Sequence, residues 1–179
     1  STSSMIARCS AERRSKVANV QGRVVCRAVT ARKNSIREPE EAYGVRWEDT
    51  LDGTLGFEIV EIGDGTARAR FDVTDRVRQP FGLVHGGAYA SLAESLSSAA
   101  TFQAVAGEGN IAMGSSNNTT FFRPVTDGSI NAEARARHRG RTQWVWDVDF
   151  TDDQGRLTAA SRVTIAVRPR PASPPRSGS

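Results

Sequence analysis

A single carboxylate in an otherwise uncharged run is the most chemically suggestive feature of this chain. Glu94 is the only charged side chain between residues 87 and 106, where Ala, Ser and Leu dominate. A helix made from that run has no charged face for a carboxylate, and burying one without a task costs several kcal/mol. The expectation is a buried group with a raised pKa, the condition that suits a base or nucleophile working near neutrality. A buried structural hydrogen bond is the competing account. Ser98, four residues on, shares the helical face of Glu94 and could hydrogen-bond the carboxylate or a water, or simply pack there as a small residue. Where the run begins stand Gly86 and Gly87. Glycine costs about 0.5–1 kcal/mol within a helix relative to Ala, so a pair at a helix start points to a close approach of backbone to something. The free N–H groups of that end, reinforced by the helix dipole, suit an oxygen gaining negative charge. The simpler account is that the two glycines only make the turn into the helix.

The elements that must position these residues emerge from periodicity. Leu55, Phe57 and Ile59 alternate with polar neighbours, Gly63-Asp64-Gly65 supplies a turn, and Ala67, Ala69, Phe71 and Val73 resume the period of two, which together predict a hairpin. A loop with Pro80, Phe81, Gly82, Leu83 and Val84 leads into the helix over 87–106. Strands are predicted over 112–122, 129–138, 143–151 and 158–167, with no further helices. One long helix among antiparallel strands needs cover on several sides, and a sheet curling around it is the simple solution. The small-residue content of 87–106 predicts a buried helix lying close against that sheet.

Composition narrows the classes of function. The 179 residues fit one core with tails, and no apolar run approaches the roughly 20 residues needed to cross a bilayer. The formal charge of +4 conceals an uneven distribution. Residues 1–37 hold nine basic side chains against Glu12 alone, and 168–179 add three arginines, so the intervening body carries the acidic excess. A phosphate-gripping surface needs Lys and Arg gathered on a folded face, so nucleic acid is not an expected partner. Both cysteines, Cys9 and Cys26, fall in the basic segment, which leaves the body without a thiolate or disulfide. With only His85 and His138, and no ligand-like spacing, neither a metal nor a cofactor is expected. Residues 1–40 are expected to be a disordered leader, an extension or a transit peptide, 41–168 the domain, and 169–179 a flexible Pro/Ser/Arg tail. The expected location is the cytoplasm, or an organelle if the leader is a transit peptide.

The stretch from Gln79 through His85-Gly86-Gly87 to Glu94 resembles the hotdog thioesterases of the PaaI-like group, which includes 4-hydroxybenzoyl-CoA and 1,4-dihydroxy-2-naphthoyl-CoA thioesterases. Phe121-Phe122-Arg123-Pro124-Val125, Gly155-Arg156-Leu157 and Ser161-Arg162 extend the resemblance over 51–167. It implies an α+β hotdog fold, an antiparallel sheet wrapped around one long central helix, and hydrolysis of an acyl-CoA thioester. Glu94 then matches the carboxylate that attacks the thioester carbonyl or activates water, and Gly86 the residue whose N–H polarises the carbonyl oxygen. Gln79 and His85 match side chains beside the thioester, and Ser98 a hydroxyl one turn beyond the carboxylate. Arg123 resembles a basic residue near the CoA phosphates, with Gly87 and Arg141 as further substrate contacts. His138 has no matching role and reads as a strand-surface residue.

Geometry adds a requirement. On one helix, Gly86 and Glu94 stand about 12 Å apart, whereas an oxyanion donor and an attacking carboxylate each belong about 3 Å from one carbonyl group. The donor of one subunit must therefore face the carboxylate of another across antiparallel helices, making a homodimer the minimal active unit, with a homotetramer the common assembly of the group. Two other readings compete: a hotdog hydratase or dehydratase acting on acyl thioesters, and a non-catalytic acyl-CoA-binding module. The acyl group itself is not legible; Tyr89, Phe102 and Met113 are candidates to line its pocket, though each fits a core position as well.

Overall fold

The computed structural model describes residues 45–171, so the predicted leader, both cysteines and residues 172–179 of the predicted tail lie outside the described residues. A short helix, α1 (Leu51–Leu55), precedes the first strand pair, β1 (Glu58–Ile62) and β2 (Thr66–Asp72). The long helix α2 (Gly86–Val105) comes next, and then β3 (Asn110–Phe121), β4 (Ser129–Arg139), β5 (Gln143–Thr151) and β6 (Leu157–Pro169). All pairings are antiparallel, in the order β1-β2-β4-β5-β6-β3. Among the described residues no helix is long and apolar enough to cross a membrane.

The period of two places the core. Along β5, Trp144, Trp146, Val148 and Phe150 are buried while Gln143 and Asp149 are exposed. Phe71 on β2, Ile130 on β4, and Val163 and Ile165 on β6 are likewise buried, as are Leu92, Ala93, Leu96 and Ala100 on α2. Each large apolar side chain removed from water contributes about 1.5–3 kcal/mol, so the buried side of α2 is held by many such contacts, and α2 touches β2, β3, β4, β5 and β6. A polar pin fixes its rotation: the Trp146 indole N–H donates to Thr101 Oγ1 at 2.9 Å, and Thr101 Oγ1 donates to the Ser97 carbonyl at 2.8 Å.

Four expectations need correction. Leu55 belongs to α1, not to a strand: Thr50 caps that helix by accepting from the Gly53 N–H, and Gly56 ends it in the left-handed region at φ 71°. The expectation of a single helix is overturned by α1 and by three one-turn 3-10 segments among the described residues. Pro169 still pairs with Asn110, so β6 outlasts its predicted end; a proline is tolerated at this last position of the ladder. Finally, α2 is not buried all round. Gly87 and Glu94 are exposed, and Ala90, Ser91, Ser95 and Ser98 only half-buried, because the sheet covers one side of the helix and small side chains do not demand cover on the other.

One border of the sheet, β3, runs beside the open side of α2. This strand is 12 residues long and, among the described residues, pairs with β6 alone. Residues 113–118 are exposed, including Met113, which is therefore not a core residue. Tyr89 is core, its ring 5.2 Å from Phe150 and 6.0 Å from Phe71, centre to centre.

Candidate active site

The start of α2 is set by His85. Its backbone is extended (φ −69°, ψ 133°), and its Nδ1 accepts from the Gly87 N–H at 2.8 Å. In the neutral ring that leaves the proton on Nε2. The entering chain is anchored by the His85 N–H donating to the Val77 carbonyl at 2.7 Å and the Val84 N–H donating to the Val125 carbonyl at 2.9 Å. The first donors of the helix are thus divided: Gly87 is engaged by the cap, whereas no acceptor among the described residues takes the Gly86 N–H. A Cβ on Gly86 would stand 2.6 Å from the Phe121 ring, so the glycine also admits that ring against the helix end. Gln79 closes the preceding turn, its carbonyl accepting from Gly82 and its N–H donating to Leu83, both at 2.8 Å. Its side chain makes only a long 3.4 Å contact with the Phe81 N–H.

Glu94 lies two turns further along the same helix. The expectation that it is buried is not met: in the single chain it is exposed, on the side of α2 that the sheet leaves open. Its carboxylate rests over Gly114 of β3, where an added Cβ would stand 2.3 Å from Oε1. Ser98 is half-buried on the same side and makes no hydrogen bond to Glu94 among the described residues. Ser95 instead donates to Asp52 Oδ1 at 2.7 Å, tying α1 to α2. Burial raises the Asp52 carboxyl above its ordinary value, and the nearby charge of Glu94 adds to the rise, while the bond from Ser95 opposes it.

The two arginines are not brought together within one chain. Arg123 stands just beyond β3 at the end where Phe121 meets Gly86, and Arg141 lies in the turn between β4 and β5 at the other end. Phe121 pairs with Ala159 of β6, and Gln143 with Ala166, a separation of roughly 20 Å along the sheet. Both arginines are exposed, and neither forms an ion pair among the described residues. His138 is exposed on β4, as expected.

Three residues at this site escape sequence reasoning. Asp52 carries no local signal that joins it to Ser95, 43 positions away. Phe121 stands out in the sequence only as part of a strand-end motif. Gly114 does carry a signal, because an isolated glycine in a strand pattern marks a bulge or a close approach.

An antiparallel sheet curved about one long helix is the hotdog arrangement, and comparison with known proteins gives its class. Residues 81–159 match the family model of the thioesterase superfamily. The 1,4-dihydroxy-2-naphthoyl-CoA hydrolase of Escherichia coli strain K12 is 35% identical over 127 residues, which are 71% of this chain and 93% of that protein. Among solved structures, a thioesterase from Haemophilus influenzae has a TM-score of 0.66 at 32% identity, over 70% of this chain and 87% of its own. A glutamine-to-alanine mutant of a thioesterase from Pseudomonas aeruginosa gives 0.68 at 32% identity, over 78% and 97%. The chain belongs to the thioesterase superfamily, as a hotdog-fold thioester hydrolase.

Proposed function

We propose that the chain hydrolyses acyl-CoA thioesters at a site shared by two copies, where Glu94 of one acts on a thioester whose carbonyl oxygen is held by the Gly86 N–H of the other. One observation carries this reading. Both groups lie on α2, about 12 Å apart by helical rise, and the Glu94 side chain is uncovered beside an unpaired strand edge. A single chain cannot bring them to one carbonyl, and an open 12-residue edge is a template for pairing with another chain.

The contacts on either side of that edge favour one register. Glu94 rests on Gly114, and Gly86 lies against Phe121. Two β3 strands paired antiparallel about a twofold axis near Asn117 and Asn118 set Gly114 opposite Phe121 of the partner subunit. Glu94 then comes to Gly86 of the partner subunit, twice per dimer. Antiparallel pairing also brings the Arg141 end of one chain toward the Arg123 end of the other. The homodimer is the minimal active unit in this reading, and pairs of dimers give the tetramer.

Two routes share this geometry. With Glu94 as nucleophile, a carboxylate oxygen bonds to the thioester carbon, the carbonyl electrons move onto the oxygen held by the Gly86 N–H, and collapse expels the CoA thiolate; water then cleaves the acyl anhydride. With Glu94 as base, it takes a proton from the water that attacks the same carbon, and collapse of the resulting oxyanion breaks the C–S bond and expels the CoA thiolate, leaving the free acid. Gln79 and His85 flank the thioester, and Ser98 holds the water or the carboxylate. Arg123, Gly87 and Arg141 contact CoA, whose phosphates suit the two exposed guanidinium groups. The coenzyme A thioester named for the Escherichia coli relative supports this substrate class.

Thiol release, measured over benzoyl, phenylacetyl, naphthoyl and fatty acyl-CoA, tests the proposal and identifies the acyl group. On the best substrate, Glu94→Ala is expected to lose about 10²–10⁴ in kcat with its assembly unchanged. Wild-type release by that variant overturns the reading, and hydration of an enoyl thioester without thiol release moves the protein to the hydratase class.

A further inference from the structure

Gly114 occupies a place in β3 that its backbone does not explain. It is not among the glycines of positive φ, and glycine in a strand interior gives up both packing and order. What the missing side chain leaves is room. A Cβ at this position would stand 2.3 Å from Glu94 Oε1, 2.6 Å from its Cδ and 3.0 Å from its Cγ, so the Glu94 side chain lies where any other residue would put its own. The strand is irregular at the same point: pairing with β6 passes from Gly114–Ile165 to Ser116–Thr164, leaving Ser115 bulged. Bulges of this kind re-aim the strand beside functional groups. The neighbouring strand segment is also fastened to the helix, since Asn117 Nδ2 donates to the Ala90 carbonyl at 2.8 Å, one turn before Glu94.

We propose that Gly114 is a positioning residue for Glu94, its bare Cα being the seat that sets where the carboxylate stands over the strand edge. The inference rests on the reading of Glu94 as the working carboxylate. The three atoms nearest a methyl group at 114 all belong to the flexible Glu94 side chain, so the expected response is that the carboxylate moves and the fold is spared. The rival explanation is that the glycine lets two β3 edges approach each other, in which case a methyl group weakens the assembly.

Kinetics of Gly114→Ala, with light scattering and thermal unfolding on the same samples, separate the two. Misplacement of a reacting group by about 1 Å costs about 10²-fold, so kcat is expected to fall by roughly 10- to 100-fold while KM, assembly and melting temperature hold. Glu94→Asp withdraws the carboxylate from the strand by one methylene, and in that background Gly114→Ala is expected to cost less than about threefold, the non-additivity of two residues that touch. Equal losses in both backgrounds, wild-type activity in Gly114→Ala, or loss of the fold or the dimer each overturn the inference. Glu94→Ala keeps the two failures apart. If it is inactive while Gly114→Ala is not, only the seat is refuted; if it is active, the reading of Glu94 falls.

Discussion

At the scale of single residues, the proposed chemistry turns on one N–H. His85 satisfies Gly87, whereas the Gly86 N–H has no acceptor among the described residues. Because Gly86 is the first residue of α2, proline can replace it without breaking an intrahelical bond, and the extended His85 (ψ 133°) already has the conformation required before proline. Both Pro and Ala add a carbon facing the Phe121 ring, so the crowding there is common to the two variants. They differ in that Ala keeps the N–H. Gly86→Pro is therefore expected to lose about 10²–10³ in kcat beyond Gly86→Ala, the usual cost of one oxyanion donor. Equal rates for the two, measured by thiol release, would mean that this N–H does no chemistry.

At the scale of elements, α1 is docked on α2 by the bond from Ser95 to the half-buried Asp52. Burial holds the Asp52 carboxyl above its ordinary 3.8, with Glu94 reinforcing the rise. Folding therefore favours the protonated form, so this group's contribution to stability is complete below 3.8 and is lost as pH rises through the raised value. Asp52→Asn keeps an oxygen to accept from Ser95 and removes the charge. In denaturant unfolding from pH 3 to 7, the variant is expected to gain on the wild type as pH rises, and a difference that is flat with pH contradicts this. The same region shows where sequence reading succeeds and where it stops. The strands from Gln143 to Thr151 and from Leu157 onward are legible because alternate residues are apolar, and α2 because its run is long and uninterrupted. The five-residue α1 is too short for a periodic signal, although its Thr50 and Gly56 caps are there to be read. Glu94 stands out in the sequence as the lone charge of its helix, yet the burial inferred from that solitude is not met within one chain. Absence of charge along a helix shows that its faces tolerate cover, whereas cover itself depends on what packs there, and in this chain the sheet leaves Glu94 on the open side. Asp52 is illegible because its partner is distant in sequence and its burial is a tertiary fact.

At the scale of the whole molecule, the described residues present three features that the proposed dimer would complete: a 12-residue strand with one edge unpaired, an exposed carboxylate in a helix of small residues, and the exposed Phe121 and Phe122 near the start of α2. A long bare edge is a liability that proteins blunt or pair, and in the proposed dimer β3 pairs with itself. The shared site then makes a prediction that a one-chain site cannot. Glu94→Ala disables the carboxylate in both sites of its dimer, and Gly86→Pro disables the donor in both sites of its own. In a hybrid of the two, one site unites the intact Glu94 of the second variant with the intact Gly86 of the first, while the other site has neither. Thiol release after unfolding and refolding the two variants together is thus the most direct measurement. Random pairing is expected to restore about a quarter of wild-type activity from parents that have almost none. Activity no higher than the average of the parents, with hybrid dimers demonstrably formed, would place both groups in one chain and contradict the shared site.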